Sequence, residues 1–285
     1  MIHFMEHIFM HTLEDTVQLL PFLFLVFLLL EYLEHSFGRK TQAVIQAADK
    51  AGPLLGGLLG AIPQCGFSVM TTNLFCGRVV TLGTLISVYL STSDEMLPIL
   101  LSHHAGWSTI LKFMAVKALI GIVSGFCVDV LFRSTVDPHC ISAICDEDHC
   151  DCGHTSPVAS ALHHTIRIFT VIVLVTLIFN AVIELVGMEV IRNLMDGAGL
   201  FSPLLACAVG LIPNCASSVV ITELYMNQAI PFGTALSGLL ASSGVAWVVL
   251  FRINKNKAEN FRILGIVAAV SIVCGAFCNA LGLQL

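Results

Sequence analysis

Charged side chains are scarce in this sequence of 285 residues. Asp, Glu, Lys and Arg make up 11% of the chain and hydrophobic residues 56%, whereas a soluble domain carries about twice that charged fraction. The mean hydropathy is +0.90. The composition therefore predicts an integral membrane protein with several segments long enough to cross a bilayer core of about 30 Å. The net charge is −6, and no basic patch indicates a nucleic-acid partner.

Several functional signals are also missing. The chain has no Gly-x4-Gly-Lys-Ser/Thr motif for ATP, which favours coupling of transport to protons. Its polar residues form no evident nucleophile–base pair, which disfavours a membrane-embedded enzyme. The first apolar run, Leu19 to Leu30, follows Glu14 and Asp15 and precedes no small-residue cleavage site. We therefore expect a retained span and not a removable signal.

The clearest feature that is present is a segment that occurs twice. Positions 60–73 read GAIPQCGFSVMTTN and positions 210–223 read GLIPNCASSVVITE, so Pro63 and Pro213 are 150 positions apart. Each copy places a helix-breaking proline, an amide, a thiol and several hydroxyls inside an apolar run. Broken backbone within a membrane persists only where it is buried in protein or lines a cavity. Paired breaks at matching places in two halves are typical of a transporter's binding site.

The repeat extends along most of the chain. The predicted closing spans are Ser108–Phe132 and Phe261–Leu281, and the predicted opening spans are Thr16–Phe37 and Thr165–Val186. We assign residues 1–132 to the first repeat, 133–164 to a cytoplasmic linker rich in Cys, His and acidic residues, and 165–285 to the second repeat.

Basic residues predict that the two repeats are inverted. Lys255 and Lys257 place the loop before the last span in the cytoplasm, whereas the matching segment 101–110 carries no Lys or Arg and is expected outside. Matching loops on opposite sides require an odd number of crossings per half. The predicted fold is an all-α polytopic membrane protein with two inverted repeats, broken or re-entrant helices and about ten transmembrane segments. The number of crossings per half is odd if each broken region makes three short passes, and it is also odd if the broken region contains a re-entrant hairpin.

Residues of the twin segments and one acidic pair form the predicted substrate site. Carbonyls freed by the prolines, amides, thiols and hydroxyls can replace water around a small ion, while helix amino termini after the break favour an anion. Sulfur ligands suit soft metals or trivalent arsenicals, and oxygen ligands suit manganese, magnesium or an oxyanion. A carboxylate inside a membrane indicates function by default. The candidates are Pro63, Gln64, Cys65, Ser68, Thr72, Asn73, Asp94, Glu95, Pro213, Asn214, Cys215, Ser217, Ser218, Thr222 and Glu223.

The linker contains a second candidate site, for a transition-metal ion. Its proposed ligands are the thiolates and imidazoles of Cys140, Cys145, His149, Cys150, Cys152 and His154. Their spacing differs from the Cys-x2-Cys pattern of zinc ribbons. The alternative is an acidic linker in which these side chains are incidental. No resident cofactor is indicated beyond a transition-metal ion, bound either as substrate or in this loop.

The twin Pro-x-Cys segments and the acidic Cys/His linker resemble the ten-span heavy-metal exporters, which include manganese or arsenic efflux permeases and are distantly similar to organoarsenical permeases. The resemblance covers nearly the whole chain. It implies a transporter of the cytoplasmic, or inner, membrane that exports a manganese-like divalent cation or an arsenic species by alternating access. A carrier for a small anion or sulfur compound is the alternative, and a metal sensor a further one. The partners expected are the lipid bilayer and the ion, with a homo-oligomer left open.

Overall fold

The structure is a computed structural model that describes residues 51–62, 66–93, 96–103, 105–132, 199–214 and 216–283. Elsewhere it describes only isolated positions, namely 24, 28, 158, 162, 165–166, 169–170, 173–174 and 177–178. The predicted opening spans and the linker therefore lie outside the described ranges. Within these ranges the regular structure is helical, which confirms the predicted all-α fold class.

Ten α-helices follow each other in two matching sets within the described ranges, and a short 3-10 helix, Gly199–Phe201, precedes the second set. The first set is α1 (Gly52–Gly60), α2 (Gly66–Cys76), α3 (Leu82–Ser91), α4 (Met96–Ser102) and α5 (Trp107–Phe132). The second set is α6 (Ser202–Gly210), α7 (Ala216–Met226), α8 (Phe232–Ala241), α9 (Ala246–Ile253) and α10 (Lys257–Ala280). Every helix of the second set begins 150 positions after its counterpart. The register read from the sequence is thus the register of the fold.

Helices α1 and α2 form a re-entrant hairpin. Gly52 and Gly60, at the two ends of α1, lie against Thr84 and Ser91, near the beginning and end of α3. Because α1 and α3 are parallel, α2 must run back between them. Its arms have 9 and 11 residues, or about 14 and 17 Å, which is roughly half of a bilayer core. The chain therefore reverses direction near mid-membrane, between the end of α1 at Gly60 and the beginning of α2 at Gly66.

The second half repeats this hairpin with α6 and α7. The hydroxyls of Ser202 and Thr234 are 2.7 Å apart at the beginning of α6 and α8, and Gly210 lies against Gly238 near their ends. A proline carbonyl anchors each hairpin to the next helix. Ser87 donates to the Pro53 carbonyl at 2.6 Å, and Ser237 donates to the Pro203 carbonyl at 2.8 Å. The same hydrogen bond thus recurs 150 positions later.

A broken helix and a continuous helix complete each set. Helix α3 ends at Ser91 and α4 begins at Met96, so together they cross once with a break that begins at Thr92; α8 and α9 do the same with a break at 242–245. Helix α5 runs antiparallel to α3, because Gly125 packs against Gly83 while Lys117 reaches Thr92. Three stretches of the described chain are long and apolar enough to span a membrane: Trp107–Phe132, Phe232–Ile253 and Lys257–Ala280.

The turn at the open end of each hairpin has the same backbone geometry. Arg78 and Gln228 have φ angles of 56° and 57°, in the left-handed region. In both turns the next amide closes back on the helix, from Val79 to the Leu74 carbonyl and from Ala229 to the Leu224 carbonyl, each at 2.8 Å. This is a Schellman ending, in which glycine is the usual left-handed residue. Two non-glycine residues adopt it here at equivalent positions.

Contacts between the halves show that the repeats are inverted. Arg78 lies just before α3, and its guanidinium is 2.8 Å from the carboxylate of Glu259 in the first turn of α10. In a parallel arrangement these ends would be separated by the length of α10, which is about 36 Å for 24 residues. At the opposite side, Phe113 near the beginning of α5 packs on Phe232 at the beginning of α8, with ring centroids 5.0 Å apart.

We call the side of the bundle at which Arg78 meets Glu259 the basic face. It carries the described residues Arg78, Arg252, Lys255, Lys257 and Arg262. The other side, where α4 ends and α5 begins, is called the histidine face after His103.

The sequence left two arrangements of the broken region open, three short passes or a re-entrant hairpin. The described helices form the re-entrant hairpin. Each half thus contributes two hairpin arms, one broken helix and one closing helix to the described part of the chain.

Glycine pairs allow the closing helices to pack closely on the broken ones. Gly83 meets Gly125 where α3 crosses α5, and Gly233 meets Gly275 where α8 crosses α10. Small residues at helix crossings are typical of membrane proteins, since the close approach maximises van der Waals contact. Helix α10 begins at Lys257, four residues before the predicted Phe261, because the Asn256 side chain caps its polar first turn.

We expect Gly275→Ala to destabilise the protein and Gly265→Ala, in the same helix, to leave it intact. A Cβ at Gly275 would lie 2.5 Å from the Gly233 carbonyl oxygen and from the Ser237 Cβ, whereas nothing lies within 4 Å of one at Gly265. Overpacking of this kind costs about 1–3 kcal/mol, and the exposed change gains up to about 1 kcal/mol of helix propensity. Thermal unfolding in detergent measures both. Equal midpoints of thermal unfolding for the two variants would contradict the close packing of Gly275 against Gly233.

Candidate functional site

The two helix breaks meet around one polar cluster in the middle of the bundle. The cluster is closely packed and leaves no room for a water molecule. It consists of Thr92, Ser93, Met96, Lys117, Ser218, Leu239 and Ser242. These residues come from both halves: from the two breaks, the beginning of α4, the closing helix α5, the hairpin arm α7 and the end of α8. We call this set the break cluster.

Lys117 is the charged residue of the break cluster. It lies ten residues into α5 and is 1% exposed. Its ammonium donates to the carbonyl of Thr92 and, at 2.8 Å, to the carbonyl of Leu239. Thr92 caps the end of α3, and Leu239 belongs to the last turn of α8. Carbonyls at helix ends lack intrahelical donors and carry the negative end of the helix dipole, so Lys117 joins the two breaks.

Hydroxyls shape the ends of the broken helices. Thr92 donates from its side chain to the Val88 carbonyl at 2.7 Å, and Ser93 donates to the Ser91 carbonyl at 3.0 Å. Ser and Thr compete with the helical hydrogen bonds in this way and so favour helix ends. In the second half, Gly244 adopts a φ of 54°, which glycine tolerates without strain.

In the first hairpin, three predicted site residues are buried on α2. Ser68 and Thr72 are 0% exposed and Asn73 is 3% exposed. The Thr72 hydroxyl is 2.7 Å from the hydroxyl of Tyr89, which donates at 3.3 Å to the Ala246 carbonyl of the other half. Asn73 instead bonds within its own helix, donating to the Val69 carbonyl at 2.9 Å. Thr72 thus belongs to a chain of hydrogen bonds that crosses between the repeats.

In the second hairpin, the predicted residues lie at and after the tip. Asn214 is buried, and its side-chain oxygen accepts from the Ala216 amide at 3.4 Å, where α7 begins. Ser217 donates to the Asn214 carbonyl at 2.8 Å, and Thr222 donates to the Ser218 carbonyl at 2.7 Å. Pro213 is half-buried beside them. Among the predicted residues of the described chain, Ser218 is the one that lines the break cluster.

Glu223 lies apart from the break cluster, towards the histidine face. Its carboxylate is 3.1 Å from the His103 imidazole, and both side chains are about one-third exposed, at 35% and 33%. Asn227 donates to it at 3.5 Å. The pair joins the second hairpin to α4 of the first half. The positions 150 away are Asn73 and Ile253, so this contact has no ionic equivalent on the basic face.

The remaining predicted ligands lie outside the described ranges. These are Pro63, Gln64, Cys65, Asp94, Glu95 and Cys215, together with the linker residues Cys140, Cys145, His149, Cys150, Cys152 and His154. Within the described ranges no group of three or more His, Cys, Asp or Glu side chains is placed to hold a metal ion. The described part of the site therefore offers oxygen ligands, one ammonium and the thioether of Met96.

Sequence reasoning missed Lys117 and Tyr89. The signal for Lys117 was present, since a lysine ten residues into an apolar span is costly and indicates function by default. Tyr89 gave no such signal, because a tyrosine in an apolar helix is ordinary. Its role comes from long-range contacts with Thr72 and with the second half, where its ring packs at 5.0 Å on Trp247.

An inverted repeat with two re-entrant hairpins and paired breaks around a polar cluster is the plan of many membrane transporters. A family model described as "Putative, 10TM heavy-metal exporter" matches residues 5–147 and 137–278. These regions cover nearly the whole chain, and the protein belongs to this family. No curated protein and no solved structure matches the chain significantly.

Proposed function

We propose that the protein exports a metal or metalloid ion across the cytoplasmic membrane by alternating access. The observation that carries the proposal is that breaks from two oppositely oriented halves meet around one polar cluster in an apolar bundle. Each hairpin and each broken helix can then open the cluster to one face in turn. We propose that Lys117 and Ser218 line the ion's path, together with the predicted residues of the hairpin tips, Cys65 and Cys215 among them.

The ligand chemistry favours two substrate classes to different degrees. The described part of the break cluster offers carbonyls and hydroxyls, which suit a manganese-like divalent cation. Cys65 and Cys215 would add sulfur at the hairpin tips, which suits an arsenic(III) species. We propose the divalent cation as the first candidate. The Cys/His linker would then collect or deliver a transition ion from the cytoplasm, with Glu223 and the acidic pair as further candidate ligands or proton carriers.

Uptake into inside-out membrane vesicles tests this function. Vesicles that contain the protein should accumulate Mn²⁺ or arsenite above the level of vesicles without it, and dissipation of the proton gradient should lower that accumulation. Arsenate and sulfate serve as the anionic comparison. Accumulation of the oxyanions alone would instead establish an anion carrier. An anion carrier is the second candidate because the buried ammonium of Lys117 would bind an anion directly.

We expect reporter tags beside Gly106 and beside Asn256 to lie on opposite sides of the membrane. The basic face carries five described Lys and Arg residues, whereas the segment 101–110 at the histidine face carries none, so the basic face should be cytoplasmic. Protease treatment of intact spheroplasts should remove the tag at Gly106 and spare the tag at Asn256. Detection of both tags on one side would rule out the inverted orientation.

A further inference from the structure

The inverted repeat provides an internal comparison for Lys117. The position 150 residues later is Val267, which is 0% exposed. The carbonyl equivalent to that of Leu239 belongs to Tyr89, and there the hydroxyl of Ser243 donates to it at 3.2 Å. The fold thus satisfies the equivalent carbonyl without a charge. The second half therefore makes this crossing with a valine in place of the lysine, and the buried ammonium is a feature of one half alone.

The surroundings of the ammonium have the chemistry of a cation site. Two helix-end carbonyls accept from it, and the hydroxyl-bearing residues Thr92, Ser93, Ser218 and Ser242 belong to the same cluster. Such oxygens replace the hydration shell of a hard cation. The lysine head is a compact charge on a flexible four-carbon stem, so it can leave these oxygens without movement of α5.

We infer that Lys117 is a tethered cation that holds the place of the transported divalent cation between the two breaks. The ammonium and the incoming ion use the same carbonyls of Thr92 and Leu239, so each excludes the other. The entering ion displaces the lysine head, and the returning head expels the ion towards the open face. The inference rests on the proposed function, and it adds the position of the cation and the means of its release.

Binding of Mn²⁺ to the purified full-length protein tests the competition. Lys117→Gln removes the charge but keeps two N–H donors for the two carbonyls, and Lys117→Arg keeps a permanent charge. We expect Mn²⁺ to bind about tenfold or more tightly to Lys117→Gln and about tenfold or more weakly to Lys117→Arg, relative to the natural protein. Lys112→Gln is the matched control, because Lys112 lies on the same helix, is exposed and is outside the break cluster. The linker contributes equally to all variants.

The outcomes separate this inference from the proposed function. Equal or weaker Mn²⁺ binding by Lys117→Gln, in a protein whose natural form binds and transports Mn²⁺, would overturn the tethered cation alone. Loss of oxyanion binding in Lys117→Gln would make the lysine an anion ligand and would also overturn it. If neither the natural protein nor any variant bound or transported Mn²⁺, the proposed cation transport itself would be refuted. Thermal unfolding of each variant verifies that it is folded.

Discussion

Arg78→Glu is expected to lower export at least about tenfold, and the exchange Arg78→Glu with Glu259→Arg to restore much of it. The Arg78 guanidinium binds the Glu259 carboxylate through two parallel bonds of 2.8 and 3.0 Å, a geometry that gives strong and specific pairs. The pair joins the open end of the first hairpin to the beginning of α10 in the other half. Reversal of one charge replaces attraction by repulsion, which separates the halves at the basic face.

The direction of this effect follows from alternating access. A transporter that cannot close its basic face leaves the break cluster open to the cytoplasm and returns the ion to the side from which it came. Cys76, two residues before Arg78 and half-buried, reports the opening. In Arg78→Glu, modification of Cys76 by an impermeant maleimide applied from the cytoplasmic side should increase, as measured by peptide mapping.

The exchange variant distinguishes the loss of the ion pair from a general loss of stability. It recreates the ion pair with reversed polarity, although an arginine in the first turn of α10 opposes the helix dipole by about 0.5 kcal/mol. We therefore expect substantial but incomplete recovery of export. Lys257→Glu, an exposed change on the same face, should leave export unchanged. If the exchange variant does not recover export although Cys76 stays protected from the maleimide, the ion pair does not act as a closure.

The overall plan of the fold could be predicted because local sequence features recur in both halves. Proline, cysteine and hydroxyl positions kept the 150-residue register, and that register alone fixes which helices correspond. The inverted orientation followed from Lys255 and Lys257 against a segment without basic residues. The structure supports it with the contact between Arg78 and Glu259, which are 181 positions apart. No pattern in the sequence could have indicated that contact.

The direction of the short helices could not be predicted from the sequence. Arms of 9 and 11 residues fit three short passes as well as a hairpin. The decision comes from packing, because Gly56 and Gly57 let α1 lie directly on Thr84, Ser87 and Val88 of α3. Each glycine removes a side chain from a close helix crossing. Glycines in an apolar run indicate such a crossing, but they do not say which partner helix is crossed or in which direction.

The position of Glu223 shows a second limit of sequence reasoning. Glu223 lies about two turns into α7, which begins at Ala216. Two turns along a hairpin arm amount to about 11 Å, which separates the tip near mid-membrane from the level of His103. Depth in the membrane therefore depends on whether the helix begins at a face or at a hairpin tip. The predicted roles of Glu223 as ion ligand or proton carrier remain proposals, to be weighed against its contact with His103.

Replacement of both hairpin-tip thiols should separate soft from hard substrates more sharply than any other change. We expect Cys65→Ser with Cys215→Ser to lower arsenite export by about a hundredfold and Mn²⁺ export by less than about threefold, because a thiolate binds soft ions and a hydroxyl does not. Both tips turn back at the level of the breaks, as Gly60 against Ser91 and Gly210 against Gly238 show. Uptake by inside-out vesicles measures both ions in one preparation.

The matched control and the single variants decide how a loss of arsenite export is interpreted. Cys127→Ser changes an exposed thiol on α5 and should alter neither ion. If each single variant loses as much arsenite export as the double variant, one ion is bound by both sulfurs at once, which requires the two tips to approach each other. If Mn²⁺ export falls as far as arsenite export, the thiols support the packing of the tips. Unchanged export of both ions would remove Cys65 and Cys215 from the site and leave the oxygens around Lys117 as its ligands.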